Sequence, residues 1–101
     1  MSKTLFGGFT LPQNYNKLTI PERRKVREQY VEEQNGFCSH CGAPLDSNPS
    51  EEIRRMWIDK SLFPASMFIW PIHLHHDHDT GMTIGAVHAV CNAVLWQYHG
   101  E

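Results

Sequence analysis

The first eighteen residues hold Gly7, Gly8, Pro12 and Asn14 and show no sustained hydrophobic period, so residues 1–18 are expected to form an irregular arm. The pattern changes at Thr19. "TIPERRKVREQYVEEQNG" is mostly charged, with Val26 and Tyr30 four apart on one apolar side, and it predicts a helix. Pro21 suits its first turn, Glu22 its positive end, and Gly36 is a natural terminator. "FCSHCGAPL" follows as a tight turn. "SNPSEEIRRMWIDKS" predicts a second helix with Asn48 as cap, Pro49 after it and Glu51 in the capping-box position. "LFPASMFIWPI" is apolar but broken by Pro64 and Pro71, and reads as a packed connector whose Phe63, Phe68 and Trp70 supply much of the core. Residues 72–77 predict a strand, 79–82 a turn around Gly81, and 83–87 a returning strand. Residues 88–98 predict a helix with Gly100 beyond its end. Two short strands among helices make the expected class α+β, with helices added on the N-terminal side.

A chain of 101 residues fits one domain with a modest core, here assigned to 19–101. No apolar run approaches the ~20 residues of a membrane span, and the N-terminus lacks the long apolar centre of a signal peptide. A cytoplasmic protein is expected (host cytoplasm if it is encoded by a phage), with no membrane partner. The three cysteines are an odd count, and in a reducing compartment they argue for metal or free thiol over a disulfide framework. The net charge of −2 carries no global nucleic-acid signal, but its distribution does. All nine cationic residues lie at or before Lys60, six of them as Arg23, Arg24, Lys25, Arg27, Arg54 and Arg55. A phosphate handled by the C-terminal part would have to meet a metal ion or a histidine there, with long-range attraction supplied from the N-terminal side. The first helix reads either as a solvated surface element or as one that turns Arg23, Arg24 and Arg27 toward a polyanion.

Cys38-x-x-Cys41 is one half of a tetrahedral metal site, because two intervening residues let both thiolates turn toward one ion. Cys91 lies three residues after His88, and residues i and i+3 share a helix face. Cys38, Cys41, His88 and Cys91 can therefore form a Cys₃His structural zinc site, joining 38–41 to 88–91 and contributing folding energy to a small chain. Two rivals stay open. Cys38 and Cys41 could be a redox pair, although no βαβ pattern surrounds them, and His40 could compete as a ligand.

The zinc assignment leaves "HHDHDTG" unexplained. On a strand His75 and Asp77 point one way and His76 and His78 the other, and a twist or bulge would bring the two sets together. Beside Asn92 on the following helix, this offers a metal ligand, a candidate base and a polar group within mutual reach. Such equipment suits phosphodiester hydrolysis, where a divalent cation stabilises charge and a neutral imidazole takes a proton from water. A second structural metal site, or histidines capping turns, is the plainer alternative.

"HHDHDTGMTIGAVHAVCN" is similar, without a gap, to the signature of HNH nucleases of the phage recombination endonuclease VII type, D-H-D-H-x-T-G-x-x-R-G-x-L-C-x-x-C-N. The shared positions are His76, Asp77, His78, Thr80, Gly81, Gly85, Cys91 and Asn92, and Cys38-x-x-Cys41 occupies the place of that family's first zinc pair. The resemblance covers about a third of the chain. It implies a ββα-metal (HNH, or His-Me finger) domain over about 72–98. It also implies that His76 is the general base, that Asn92 helps hold the catalytic cation, and that His78 contacts the scissile phosphate. Mg²⁺ or a similar divalent ion would serve. There are three departures. His75 stands where the family has a metal-binding aspartate. This favours Mn²⁺, Ni²⁺, Co²⁺ or Zn²⁺ over hard Mg²⁺, unless Asp77 turns inward to share the task. His88 replaces a zinc-site cysteine, and Ile84 replaces an arginine.

The expected function is a metal-dependent endonuclease acting on DNA, alone, as a homodimer or with a larger nucleic-acid-processing partner. A non-catalytic zinc module that binds DNA or a protein is the alternative from another class. An enzyme acting on RNA or a smaller phosphodiester is the third. The basic clusters suit backbone attraction better than base readout, so no sequence specificity is expected from them.

Overall fold

The computed structural model describes residues 8–100. In chain order these form a 3-10 turn at Tyr15–Lys17, helix α1 at Ile20–Glu33 and the short helix α2 at Glu51–Arg54. Two further 3-10 turns, Lys60–Leu62 and Ala65–Phe68, lead to strands β1 (Ile72–His76) and β2 (Thr83–His88) and to helix α3 (Ala89–His99). β1 and β2 pair antiparallel as a two-stranded sheet, with Ile72 opposite His88 and His75 opposite Gly85. The register then shifts, so that His76 meets Thr83 and Ile84 is the extra residue. The anticipated bulge therefore falls between His75 and His76, where it re-aims the second imidazole.

An isolated two-stranded ribbon is marginal in water. Here both strands contact α1 and α3. The outer edge of β2 is also covered by groups that imitate a third strand. Gln34 Oε1 accepts from Ala86 N at 2.9 Å while its Nε2 donates to Ala86 O at 2.9 Å. Ser39 N donates to the same carbonyl at 3.1 Å, and Thr83 N donates to Gln13 O at 2.8 Å. The edge is thereby closed to further pairing.

α1 starts with a capping box: Glu22 N donates to Thr19 Oγ1 at 3.3 Å and Thr19 N to Glu22 Oε1 at 2.8 Å. That pairing holds the Glu22 carboxyl below its usual range. Val26 is fully buried and Tyr30 packs against the core, as the i, i+4 pattern anticipates. Gln29, a polar residue on the same helix, is buried as well, at 1% exposed. It earns its place by bonding both backbone groups of Phe9, accepting from N at 3.0 Å and donating to O at 2.6 Å.

The arm is less irregular than its composition implies, although residues 1–7 lie outside the described part. Tyr15 N donates to Gly81 O at 2.7 Å and Asn14 bridges Met82, so the arm is built onto the hairpin turn. Gly81 takes φ +79°, and a Cβ there would meet Asn16 Nδ2 at 2.8 Å. α2 is shorter than predicted and starts after Ser50, not Asn48. Its expected continuation is drawn off by α3: Trp57 O accepts from Tyr98 Oη at 2.6 Å, and Asp59 N donates to Gln97 Oε1 at 2.9 Å.

The core also differs from the expected one. Cys38, Leu45, Ile53, Ala86, Val87, Cys91 and Val94 make it up. Trp70 is 66% exposed, and Phe63 packs edge-on against Phe68 and Trp96 over the outer side of α3. Aliphatic and cysteine side chains fill the interior, which leaves the connector's aromatics as a cover. Among the described residues no helix is long and apolar enough to cross a membrane.

Candidate metal centre and the adjoining histidine cleft

The four residues paired by spacing meet in space. One ligand atom from each of Cys38, Cys41, His88 and Cys91 lies within 4.8 Å of all the others. His88 Nδ1 is 3.5 Å from Cys41 Sγ and 3.6 Å from Cys91 Sγ. Ligands about 2.0–2.3 Å from a tetrahedral zinc lie about 3.5 Å apart, so the two edges from His88 Nδ1 match those of a zinc tetrahedron. The far side of the imidazole is fixed as well. His88 Nε2 lies 2.8 Å from Pro44 O, a carbonyl that can only accept, so the proton sits on Nε2 and the Nδ1 lone pair faces the thiols. His40 is exposed and is not one of the four. Its contribution is a backbone N–H, 3.4 Å from Cys38 Sγ, joined by that of Cys41 at 3.5 Å.

These bonds shape the thiols. A hydrogen bond from the Cys91 thiol, with the N–H groups of Cys41, His88 and His40, draws Cys38 down to about 3. The same bond pushes the Cys91 thiol up. One thiolate is thus stabilised by its neighbours, and a divalent cation is what would let all three thiols ionise together. All three cysteines are free of disulfides.

The second cluster lies at the bulged end of the hairpin. His76 stacks on Tyr15 with ring centroids 3.9 Å apart and planes at 6°, and meets His78 edge-on at 5.0 Å. The other face of the Tyr15 ring carries the Arg23 guanidinium, 3.9 Å from its centroid, and Arg23 Nε donates to Tyr15 O at 3.1 Å. Burial lowers the pKa of His76, and charge on His78, His75 and Arg23 lowers it further against a bond to Leu74. His76 is therefore neutral near pH 7 and able to accept a proton. A cleft of about 370 Å³ brings Tyr15, Arg23, Arg27, His73, His76 and Asn92 together. A second, of about 280 Å³, holds His78 and shares Asn92 with the first.

The remaining sequence candidates sit less directly in these clefts. His75 is 4% exposed, opposite Gly85 on the strand, and lines neither cleft. Asp77 organises the turn, its Oδ1 accepting from Asp79 N at 2.7 Å and Thr80 N at 3.0 Å, and these bonds hold its carboxyl below the usual range. Asn92 is met instead by His73, with Nδ2 3.1 Å from Nδ1. The sequence gives His73 no role, because its partner Asn92 lies nineteen residues away and is met only through packing. Arg24 does not line the cleft, whereas Arg23 and Arg27 do. Ile84 is exposed on the bulge. Among the described residues the Cys₃His cluster is the one group of three or more His, Cys, Asp or Glu gathered closely enough to hold an ion. An ion in the histidine cleft would thus rest on fewer protein donors, with water and substrate oxygens completing its shell.

Hairpin, helix and tetrad define a small α+β protein with a two-stranded antiparallel sheet and a Cys₃His group able to hold zinc. No family model matches the chain, and no curated protein or solved structure matches it.

Proposed function

We propose that this protein is a metal-dependent endonuclease that hydrolyses DNA phosphodiester bonds, built as a zinc-stabilised ββα-metal domain. The observation that carries the reading is the cleft in which a neutral histidine, His76, shares walls with Asn92 and with two arginines from α1. His76 takes a proton from the attacking water through its ring edge, while Tyr15 occupies one ring face. His78, edge-on to His76, faces the phosphate from the neighbouring cleft. Arg23 and Arg27 supply the positive charge that the strand lacks at Ile84, and they attract the DNA backbone. A divalent cation, when bound, stabilises charge on the phosphoryl and leaving oxygens.

The donors available to that cation are Asn92 and imidazoles, with Asp77 engaged in its turn. This set suits Mn²⁺, Ni²⁺ or Co²⁺ better than Mg²⁺. The test is a cleavage assay on plasmid, junction and single-stranded DNA across Mg²⁺, Mn²⁺, Ni²⁺ and Zn²⁺. Nicked or linear product is expected with Mn²⁺ at least as fast as with Mg²⁺. Binding without cleavage under every ion would favour the non-catalytic zinc module instead.

A further inference from the structure

The His76 cleft adjoins a larger one of about 550 Å³, walled by α1 and by the segment that enters β1. Arg27, Trp70 and Ile72 line both, so the two clefts share a wall. From Arg27 the larger cleft follows α1 through Val31 to Asn35 and Gly36, just past the helix end. Val31, Pro71 and Ile72 make its surface apolar, and Trp70 beside them is 66% exposed. An aromatic residue left this open at the border of a cleft is available to stack on a ligand. The volume lies within the range of small-molecule sites, about 300–1,000 Å³.

The charge layout decides what fits. Arg27 stands at the wall shared with His76, whereas Glu28 and Glu32, four residues apart, form an adjoining stripe. The C-terminal end of α1, with its partial negative charge, closes the far end. A phosphate is therefore attracted at Arg27 and repelled farther along. An uncharged planar ring with N–H donors on its edge suits the remainder, its face on the indole and its donors toward the carboxylates. We propose that this cleft is a nucleobase subsite, in which an unpaired base of a DNA strand stacks on Trp70 beside the phosphate at Arg27 and His76. This rests on the nuclease reading above and names its substrate as DNA with unpaired bases. In an intact duplex both faces of a base are covered by its neighbours, so none is on offer until it is extruded. Stacking is tolerant of base identity, in keeping with basic clusters that suit backbone attraction.

The experiment uses the zinc-loaded full chain without added divalent ion, so that binding is read apart from cleavage. Fluorescence anisotropy compares one labelled DNA strand, alone and in its duplex, on the parent, Trp70→Ala, Trp70→Phe and Trp57→Ala. Trp57 is 69% exposed but lines neither cleft, which makes it the control indole. Zinc content, thermal unfolding and sedimentation are recorded for each protein. The parent is expected to bind the single strand at least about tenfold tighter than the duplex, with Trp57→Ala matching it. Trp70→Ala is expected to lose about tenfold on the single strand and less than about twofold on the duplex, with Trp70→Phe within about threefold of the parent. Parental single-strand affinity in Trp70→Ala, or an equal loss on strand and duplex, overturns the subsite and leaves the nuclease reading standing. Self-association that depends on Trp70, without strand preference, gives the cleft to a second copy and also overturns it. No DNA binding by the parent overturns the subsite together with the nuclease reading. Single-strand binding that follows the expected order, in a protein that cuts no DNA with Mn²⁺, supports the subsite and sinks the nuclease reading.

Discussion

His88 is set by a simple device: a partner on one ring nitrogen decides what the other presents. The partner is Pro44 O, and the outcome is an Nδ1 lone pair facing the sulfurs of Cys41 and Cys91. The spacing of Cys38, Cys41, His88 and Cys91 made that site legible, because knuckle and helix geometry are local. His73 was illegible because its meaning depends on Asn92, nineteen residues away, across a packing contact that no short motif encodes. Asp77 shows the reverse case. Its sequence position invites a metal role, yet its oxygen serves the turn beside it. Gly85 also acts through space: a Cβ there would come within 2.7 Å of Ser39 Oγ and 2.8 Å of Gln34 Oε1. Gly85→Ala is expected to displace both, loosening the β2 edge and the knuckle at a cost of about 1–3 kcal/mol. Chemical denaturation of the zinc-loaded variant checks this, and parental stability would mean the edge yields freely.

At the scale of elements, α1 matters most. Its ends were readable from Thr19, Pro21 and Glu22, since caps are short-range chemistry. Its mean polarity hid a division of labour: Val26 and Gln29 face inward while Arg23 and Arg27 turn along one side into the cleft. Each arginine that meets a DNA phosphate releases counterions, so Arg27→Gln is expected to weaken binding for all sequences alike and to reduce the salt slope by about one. Fluorescence anisotropy across a salt series measures it, and an unchanged slope would remove Arg27 from the interface. The connector's aromatic content suggests burial, yet the interior is filled by Cys38, Leu45, Ile53, Ala86, Val87, Cys91 and Val94, which leaves Trp70 outside. α2 was overestimated because side chains of α3 take the backbone groups that would have continued it.

For the whole molecule, the Cys₃His tetrad, able to hold zinc, joins the knuckle to the start of α3, and the core is continuous with it through Cys38 and Cys91. A core this small has little stability to spare. Structural zinc in small domains contributes apparent binding energies of about 10–16 kcal/mol near pH 7. Removing zinc with a strong chelator is therefore expected to abolish near-ultraviolet circular dichroism, not merely to lower the melting temperature. Acid acts in the same direction, because the thiols must be deprotonated to bind: stability is full where they ionise on the metal and falls as protons compete for them. Zinc release and unfolding should coincide in a titration from pH 7 downward. A folded, zinc-free state would show that the tetrad is dispensable.

The proposed nuclease rests on His76 as the base of a DNA-cleaving site separate from the Cys₃His tetrad. The most direct measurement compares plasmid nicking by the parent and by His76→Ala with Mn²⁺, at matched zinc content. The expected result is a parent that nicks and a variant slower by at least about 100-fold, since general-base catalysis contributes about 10²–10⁴-fold. Equal nicking rates in the two proteins, or no nicking by the parent under any divalent ion, would contradict it.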